Sequence, residues 1–306
     1  MRHFGKGQRM IVAPPQFHLS TRAILSMALV FLFATFTLPH QAFANKKPTV
    51  VSMNLCTDQL VLLLADPEQI VSLSYLSHDA RTSVYAEKAV AYPTNRGLAE
   101  EVYILKPDVT VTGTYSNWTA SSMLEQLGMR VERFEPAYQF SDITANIKAM
   151  GELLHQSEKA KQVIADFEAR LASFQADHAF QPRAALYAAN GYTSGKSSIA
   201  HHILIAAGFQ NIGAELGYDY GAKLAVESLL MTSPDLIVTN PPGFGHAKAE
   251  AMTRHPALDY FQTDMPAEVT TNKNWVCDTP LVLDAVAELA TVREAIARPH
   301  SKTESR

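Results

Sequence analysis

The chain has 306 residues, 26 Lys and Arg against 30 Asp and Glu, and a formal net charge of −4. That balance lacks the basic footprint of a nucleic-acid-binding protein. The length suits one large or two small α/β domains.

The first 44 residues stand apart. Arg2, Lys6, Arg9 and Arg22 precede an apolar run from Ala23 to Leu38, and Ala42-Phe43-Ala44 supplies a small-x-small cleavage site. Residues 1–44 therefore read as a cleavable secretory signal peptide, with the start at Met1 or Met10. The apolar run is short for a spanning helix, no second one follows, and no cysteine sits at the cleavage site to carry a lipid. These 44 residues hold four basic side chains and no acidic one. The remaining 262 residues thus carry 22 Lys and Arg against 30 Asp and Glu, a net of −8.

From Pro48 the pattern predicts strand Val50 to Met53, a helix capped at Thr57 or Asp58 and running to Leu64, and a strand Ile70 to Leu73. This strand-helix-strand unit is the seed of a parallel sheet. Tyr75 to Ala91 reads as a polar loop where such sheets hold ligands, outside the carboxyl ends of their strands. A helix from Ala99, the turn Lys106-Pro107-Asp108, strand Val109 to Thr112, helix Ala120 to Leu127 and strand Arg130 to Phe134 complete a first lobe over 45–140.

Residues 141–178 contain no proline and one glycine. Ile143, Ile147, Met150 and Leu154 make one apolar stripe, and Val163, Phe167, Leu171 and Phe174 make a second. The rhythm lapses over Gly151 to Lys161, so a shorter helix gives way to one starting near Ser157. A helix from there to His178 would reach roughly 30 Å and join two lobes stiffly. Over 179–306 the grammar returns: strand Ala184 to Ala189, helix Ile199 to Ala207, a helix-turn-strand unit, a short strand near Glu268 to Thr271, a helix from about Pro280, and a frayed tail.

One echo ties the halves. Glu100 stands seven residues before Pro107-Asp108, and Glu227 seven before Pro234-Asp235. Each turn leads into a strand ending Val-Thr, at Val111-Thr112 and Val238-Thr239. The two lobes repeat a helix-turn-strand unit.

The leader, the two lobes, the helical connector and the paired E-x6-P-D segments resemble the class III periplasmic substrate-binding proteins of ABC importers for cobalamin, ferric siderophores and haem. The resemblance covers nearly all of Pro48 to Arg298. It implies two Rossmann-like α/β lobes joined by a single long helix, a periplasmic destination for the chain after the leader, and a monomer without catalytic residues or cofactor of its own. Such a protein captures a metal chelate, a corrinoid, ferric siderophore or haem, and delivers it to an inner-membrane permease dimer with its ATPase. In this family one glutamate per lobe docks on the permease, which by position implies Glu100 and Glu227, with Glu101 as the competitor for the first. Tyr75 stands where relatives turn an aromatic residue to the ligand. The loops carrying Tyr115 and Trp118, Asn190 and Tyr192, and Asn274 and Trp275 are the other implied contacts. Gly113 departs from the corrinoid pattern, which has tryptophan there. By the same analogy Cys56 and Cys277 face the cleft. Three readings stay open for them: an interlobe disulfide closing a loop of about 220 residues, two thiols toward the ligand, or inert buried cysteines.

Other signals point elsewhere and weakly. "GYTSGKSS" lacks Walker A spacing because Asn190 occupies the first glycine's place, yet its turn could hold an anionic ligand group. His201-His202, His78 and His246 include no pair at i, i+4, so no metal site is assigned. The alternatives are a binding protein for free Zn²⁺ or Mn²⁺, which needs three or four converging ligands, and a secreted α/β hydrolase, which needs a nucleophile, base and oxyanion donors.

Overall fold

A computed structural model of the protein describes residues 46–174, 180–241, 255–258, 269–277 and 279–303, with 13 and 253. The segment expected to be a signal peptide (1–44, apart from residue 13), the connector's end at 175–178 and Glu268 lie outside the described residues. The chain divides into two compact units, Met1–Lys46 and Lys47–Arg306, and every element below belongs to the second.

The first lobe is a parallel sheet of β1 (Val50–Ser52), β2 (Ile70–Ser74), β3 (Thr94–Asn95), β4 (Val109–Gly113) and β5 (Val131–Phe134), in the order β3-β2-β1-β4-β5. β1 is buried at every residue, as expected of a central parallel strand covered on both faces. Between the strands run α1 (Leu55–Leu64), α2 (Ala86–Ala89), α3 (Ala99–Leu105) and α4 (Trp118–Gln126). The cap of α1 is Asn54 rather than Thr57 or Asp58: its side chain accepts from the Cys56 and Thr57 amides at 2.9 and 3.4 Å. Thr57 and Asp58 lie inside the helix and are buried, Thr57 bonded to Ser52 and Asp58 to Ser74. Tyr75 to Ala91 is likewise more than loop, since a 3₁₀ turn at Tyr75–His78 and α2 lie within it.

The connector consists of two helices, α5 (Phe140–Leu153) and α6 (Ser157–Ala172), with His155 at φ 55° in the turn between them. A Cβ on Gly151 would stand 2.4 Å from that of Ala160, so the lone glycine lets the two helices cross closely. Ile143, Ile147, Met150 and Leu154 are fully buried. α5 thus docks against α1, in the first lobe. Only α6 spans. Near its start Lys159 donates to the Leu64 carbonyl at 3.0 Å, and near its end Arg170 pairs with Asp284 at 2.6 Å. Sixteen residues give it about 24 Å.

The second lobe starts at β6 (Arg183–Tyr187), followed by β7 (Tyr192–Ser194), α7 (Ile199–Ala206), β8 (Gln210–Asn211), α8 (Ile212–Glu215), β9 (Gly221–Lys223), α9 (Val226–Met231), β10 (Leu236–Thr239), β11 (Val269–Thr270) and α10 (Val282–Thr303). Its parallel sheet runs β11-β10-β6-β8, while β7 and β9 pair as an antiparallel ribbon. The last helix continues through Thr303, into the tail expected to fray. One apolar core contains Val50 and Leu62 of the first lobe, Phe167 of α6, and Leu186, Leu236 and Val286 of the second. A core shared in this way resists wide separation of the lobes.

The repeat is structural. Asp108 accepts from the Thr49 amide at 2.8 Å and Asp235 from the Arg183 amide at 2.7 Å, each beside the start of a central strand. Lys106 and Ser233, at aligned positions before the two Pro-Asp turns, share a φ of 49°.

Candidate ligand-binding cleft

Parallel strands put the loops that follow them on one edge of the sheet, and in both lobes those loops border the same cleft. A cavity of about 270 Å³ is walled in the first lobe by Asn54 and Thr57, by Tyr115 and Ser116 after β4, by Phe134 and Glu135 at the end of β5, and by Asn146 of α5. Ile199 of α7, Trp275 and Val276 close it from the second lobe. A second cavity of about 330 Å³ lies over the carboxyl ends of β6, β10 and β11. Tyr187, Tyr192, Ser194, Asn240 and Asn272 line it, and it shares Trp275 and Val276 with the first. Trp275 and Val276 therefore stand as a ridge between two hollows.

A disulfide anchors that ridge. Cys56, in the first turn of α1, is bonded to Cys277, next to Val276 and buried, with Cα atoms 5.0 Å apart. The bond joins the lobes at the cleft floor, so the thiol readings give way to a staple. On the chain-entropy model, closing this loop stabilises the protein by about 5 kcal/mol.

The polar groups are few and held in place. Asn54, while capping α1, donates from Nδ2 to the Ser116 hydroxyl at 2.8 Å. Glu135 accepts from Thr114 Oγ1 at 2.9 Å, and Asn146 donates to the Glu135 carbonyl at 2.8 Å. Glu135 is the one charged side chain among the described residues lining the two cavities. Beside it, a hydrogen bond with Tyr115 pushes the Tyr138 phenol above its ordinary value, with Glu135 and Tyr220 adding to the shift. Tyr220 belongs to the second lobe, so phenols from both lobes gather within electrostatic reach of each other. Behind the cleft, burial lifts the Asp58 carboxyl to about 7 against hydrogen bonds from Ser52 and Ser74 that lower it.

Of the residues singled out in the sequence, Tyr115, Tyr192, Trp275 and Cys56 line the cavities. Tyr75, Trp118, Asn190 and Asn274 line neither. Tyr75 is exposed on its 3₁₀ turn. Trp118 packs under the Arg133 guanidinium, 5.1 Å from its ring centre, within its own lobe. Asn190 takes φ 59° in the tight turn before β7. Asn274 donates its amide to Asn272, and Asn272 is the residue that reaches the cavity. Phe134, Asn146 and Ile199 were not foreseen. Phe134 and Ile199 were visible only as apolar residues of a strand end and a helix start.

The glycine-rich turn is no anion cradle. The amides of Gly195, Lys196 and Ser197 donate to the carbonyls of Tyr220, Tyr218 and Asp219, and Ser198 caps α7. His201 and His202 have rings 5.2 Å apart, and His201 Nδ1 lies 3.2 Å from Asn211 Nδ2. Burial pushes both imidazoles below the ordinary histidine value. His78 Nε2 is 3.0 Å from the Ala89 carbonyl, and His246 lies outside the described residues. No group of three or more His, Cys, Asp or Glu is placed to hold a metal ion among the described residues.

Glu100 and Glu227 occupy the first turns of α3 and α9, both exposed. A helix that leads into a parallel strand runs against it, so these first turns stand at the edge that carries the cleft loops. Glu101 instead accepts the Arg96 amide at 2.7 Å, which leaves Glu100 as the carboxylate facing solvent.

Two α/β lobes, a spanning helix and an interlobe cleft define a bilobed binding protein. Residues 50–271 match the model of the periplasmic binding protein family, and the chain belongs to that family. Its fold is shared with the apo periplasmic heme-binding protein RhuT from Roseiflexus sp. RS-1, at TM-score 0.66 and 16% identity over 82% of this chain and 99% of that one. It is shared with a periplasmic heme-binding protein from Pseudomonas aeruginosa, at TM-score 0.61 and 20% identity over 81% and 92%. The periplasmic vitamin B12 binding protein BtuF of Vibrio cholerae matches at TM-score 0.58 and 18% identity over 81% and 97%. No curated protein gives a significant sequence match.

Proposed function

We propose that the protein is exported by its N-terminal leader and serves in the periplasm as the substrate-binding component of an ABC importer. It carries a bulky metal chelate bearing no net negative charge, a corrinoid or an uncharged ferric siderophore. The observation that carries this reading is the makeup of the cleft. Aromatic side chains from both lobes, Tyr115, Phe134, Tyr192 and Trp275, supply flat apolar walls. Glu135 is the single charge, and no Lys or Arg lines either hollow among the described residues. Enclosing an anion with no cation beside it among the described residues is costly, which disfavours the dicarboxylate haem. The ligand spans both hollows across Trp275 and Val276, with Asn54, Ser116, Asn146 and Asn272 orienting its polar rim. Binding requires no covalent step. The disulfide and the shared core keep the cleft nearly the same width whether loaded or empty, so release falls to the permease.

Calorimetry with cyanocobalamin, an uncharged ferric hydroxamate and haem tests this directly. One of the first two is expected to bind with a 1:1 stoichiometry, and Trp275→Ala to weaken it by about tenfold or more. Haem binding tighter than both, or tight binding of free Zn²⁺ or Mn²⁺, would overturn the ligand class.

A further inference from the structure

Each lobe presents a carboxylate followed one helical turn later by a large apolar side chain held out in water. On α3 the pair is Glu100 and Ile104; on α9 it is Glu227 and Met231. Residues four apart share a helix face. Met231 is 86% exposed and Ile104 76%, higher than any other large hydrophobic residue among those described. They occupy the same position of the internal repeat, three residues before Pro107 and Pro234 respectively. The other apolar residues of these turns are used, since Val102 and Leu229, at aligned positions, are buried in their lobes. Neither Glu100 nor Glu227 takes part in a hydrogen bond or ion pair among the described residues.

An isolated exposed apolar residue needs no explanation. Two, at equivalent places in two lobes, each beside an unpaired carboxylate, make a patterned surface. We propose that Ile104 and Met231 are apolar anchors for the permease, so that each docking point is a carboxylate and an anchor together. The partner surface is a two-fold pair of sockets, each with a basic side chain next to an apolar hollow wide enough for a branched or thioether side chain. The carboxylates give approach and register, and they weaken as salt rises. The anchors give holding strength that salt does not remove. The proposal rests on the permease-docking role read for Glu100 and Glu227, and its test separates the two.

Affinity of the full-length mature protein for its cognate permease–ATPase complex in nanodiscs is measured in about 0.1 M and about 1 M NaCl, between which the Debye length falls from roughly 10 Å to roughly 3 Å. Ile104→Ser and Met231→Ser are each expected to weaken binding by about tenfold at both salt concentrations. Ile104→Leu with Met231→Leu should bind as the unaltered protein does. Glu100→Ala with Glu227→Ala should lose affinity mainly at low salt. Melting temperature and ligand affinity should not change in any of them. The anchor proposal is overturned if Ile104→Ser with Met231→Ser binds within about twofold of the unaltered protein. If only the glutamate variant is silent, the carboxylate reading fails and the anchors stand. Failure of the unaltered protein to bind the permease refutes both.

Discussion

In the first lobe Asp108 is bonded to the Thr49 amide at the head of β1, and in the second Asp235 is bonded to the Arg183 amide at the head of β6. At the opposite edge the lobes part company. β1 runs straight into α1, whereas β6 is followed by β7, which pairs with the later β9 as a ribbon, before α7 begins. The amino-terminal edge of each sheet is thus a repeated frame, and the carboxyl-terminal edge, where the cleft lies, differs between lobes. A bond that sets how a helix enters a strand tolerates little change, while loops beyond the strands can vary without disturbing the core.

The disulfide acts on both lobes, so breaking it gives the largest effect expected on this comparison. Cys56→Ala with Cys277→Ala should lower unfolding free energy by about 5 kcal/mol in chemical denaturation, as the loop-entropy model requires. It should also split one transition into two if the lobes differ in stability. A single transition at unchanged midpoint would mean that the shared core alone couples them.

Next comes a feature of the first lobe alone. Asp58 is fully buried with a carboxyl raised to about 7, against an ordinary 3.8. Between those values the folded chain keeps a proton that the unfolded chain releases, so the native state loses stability as pH rises from about 4 to about 7. The loss amounts to roughly 4 kcal/mol. Asp58→Asn should flatten this slope, and denaturation measured across the range would show it. A slope that survives the substitution assigns the pH dependence to other groups.

The smallest effects sharpen the frame itself. Asp235→Ala should cost about 2 kcal/mol and Asp108→Ala about 1 kcal/mol, because the first leaves a half-buried amide without its acceptor and the second a more exposed one. Equal costs would mean that water replaces both carboxylates equally well.

Much of this was readable in advance, for local reasons. Parallel strands buried on both faces announce themselves as short apolar runs, and the Pro-Asp turns mark where helices end and strands begin. The lapse of rhythm after Leu154 located the break between α5 and α6. The cap of α1 was misplaced because Asn54, Thr57 and Asp58 are all competent caps. What decides among them is that Ser52 and Ser74 draw the other two inward. Tyr75 and Trp118 were singled out in the sequence as aromatic residues, and neither borders the two hollows: Tyr75 is exposed on its 3₁₀ turn and Trp118 lies against Arg133 of its own lobe.

The amino-acid sequence by itself determined the order of helices and strands and the repeat that makes two lobes, since these follow from periodicity and turn chemistry over short spans; the family entered as a resemblance carried by the leader, the connector and the paired E-x6-P-D segments. Only the tertiary structure decided that Cys56 meets Cys277, that Phe134, Asn146 and Ile199 share a wall with Trp275, and that Glu100 rather than Glu101 faces solvent. Those facts join residues as much as 221 positions apart or turn on which side of a helix packs inward. Such pairings are set by how the whole core closes, and no local pattern encodes them.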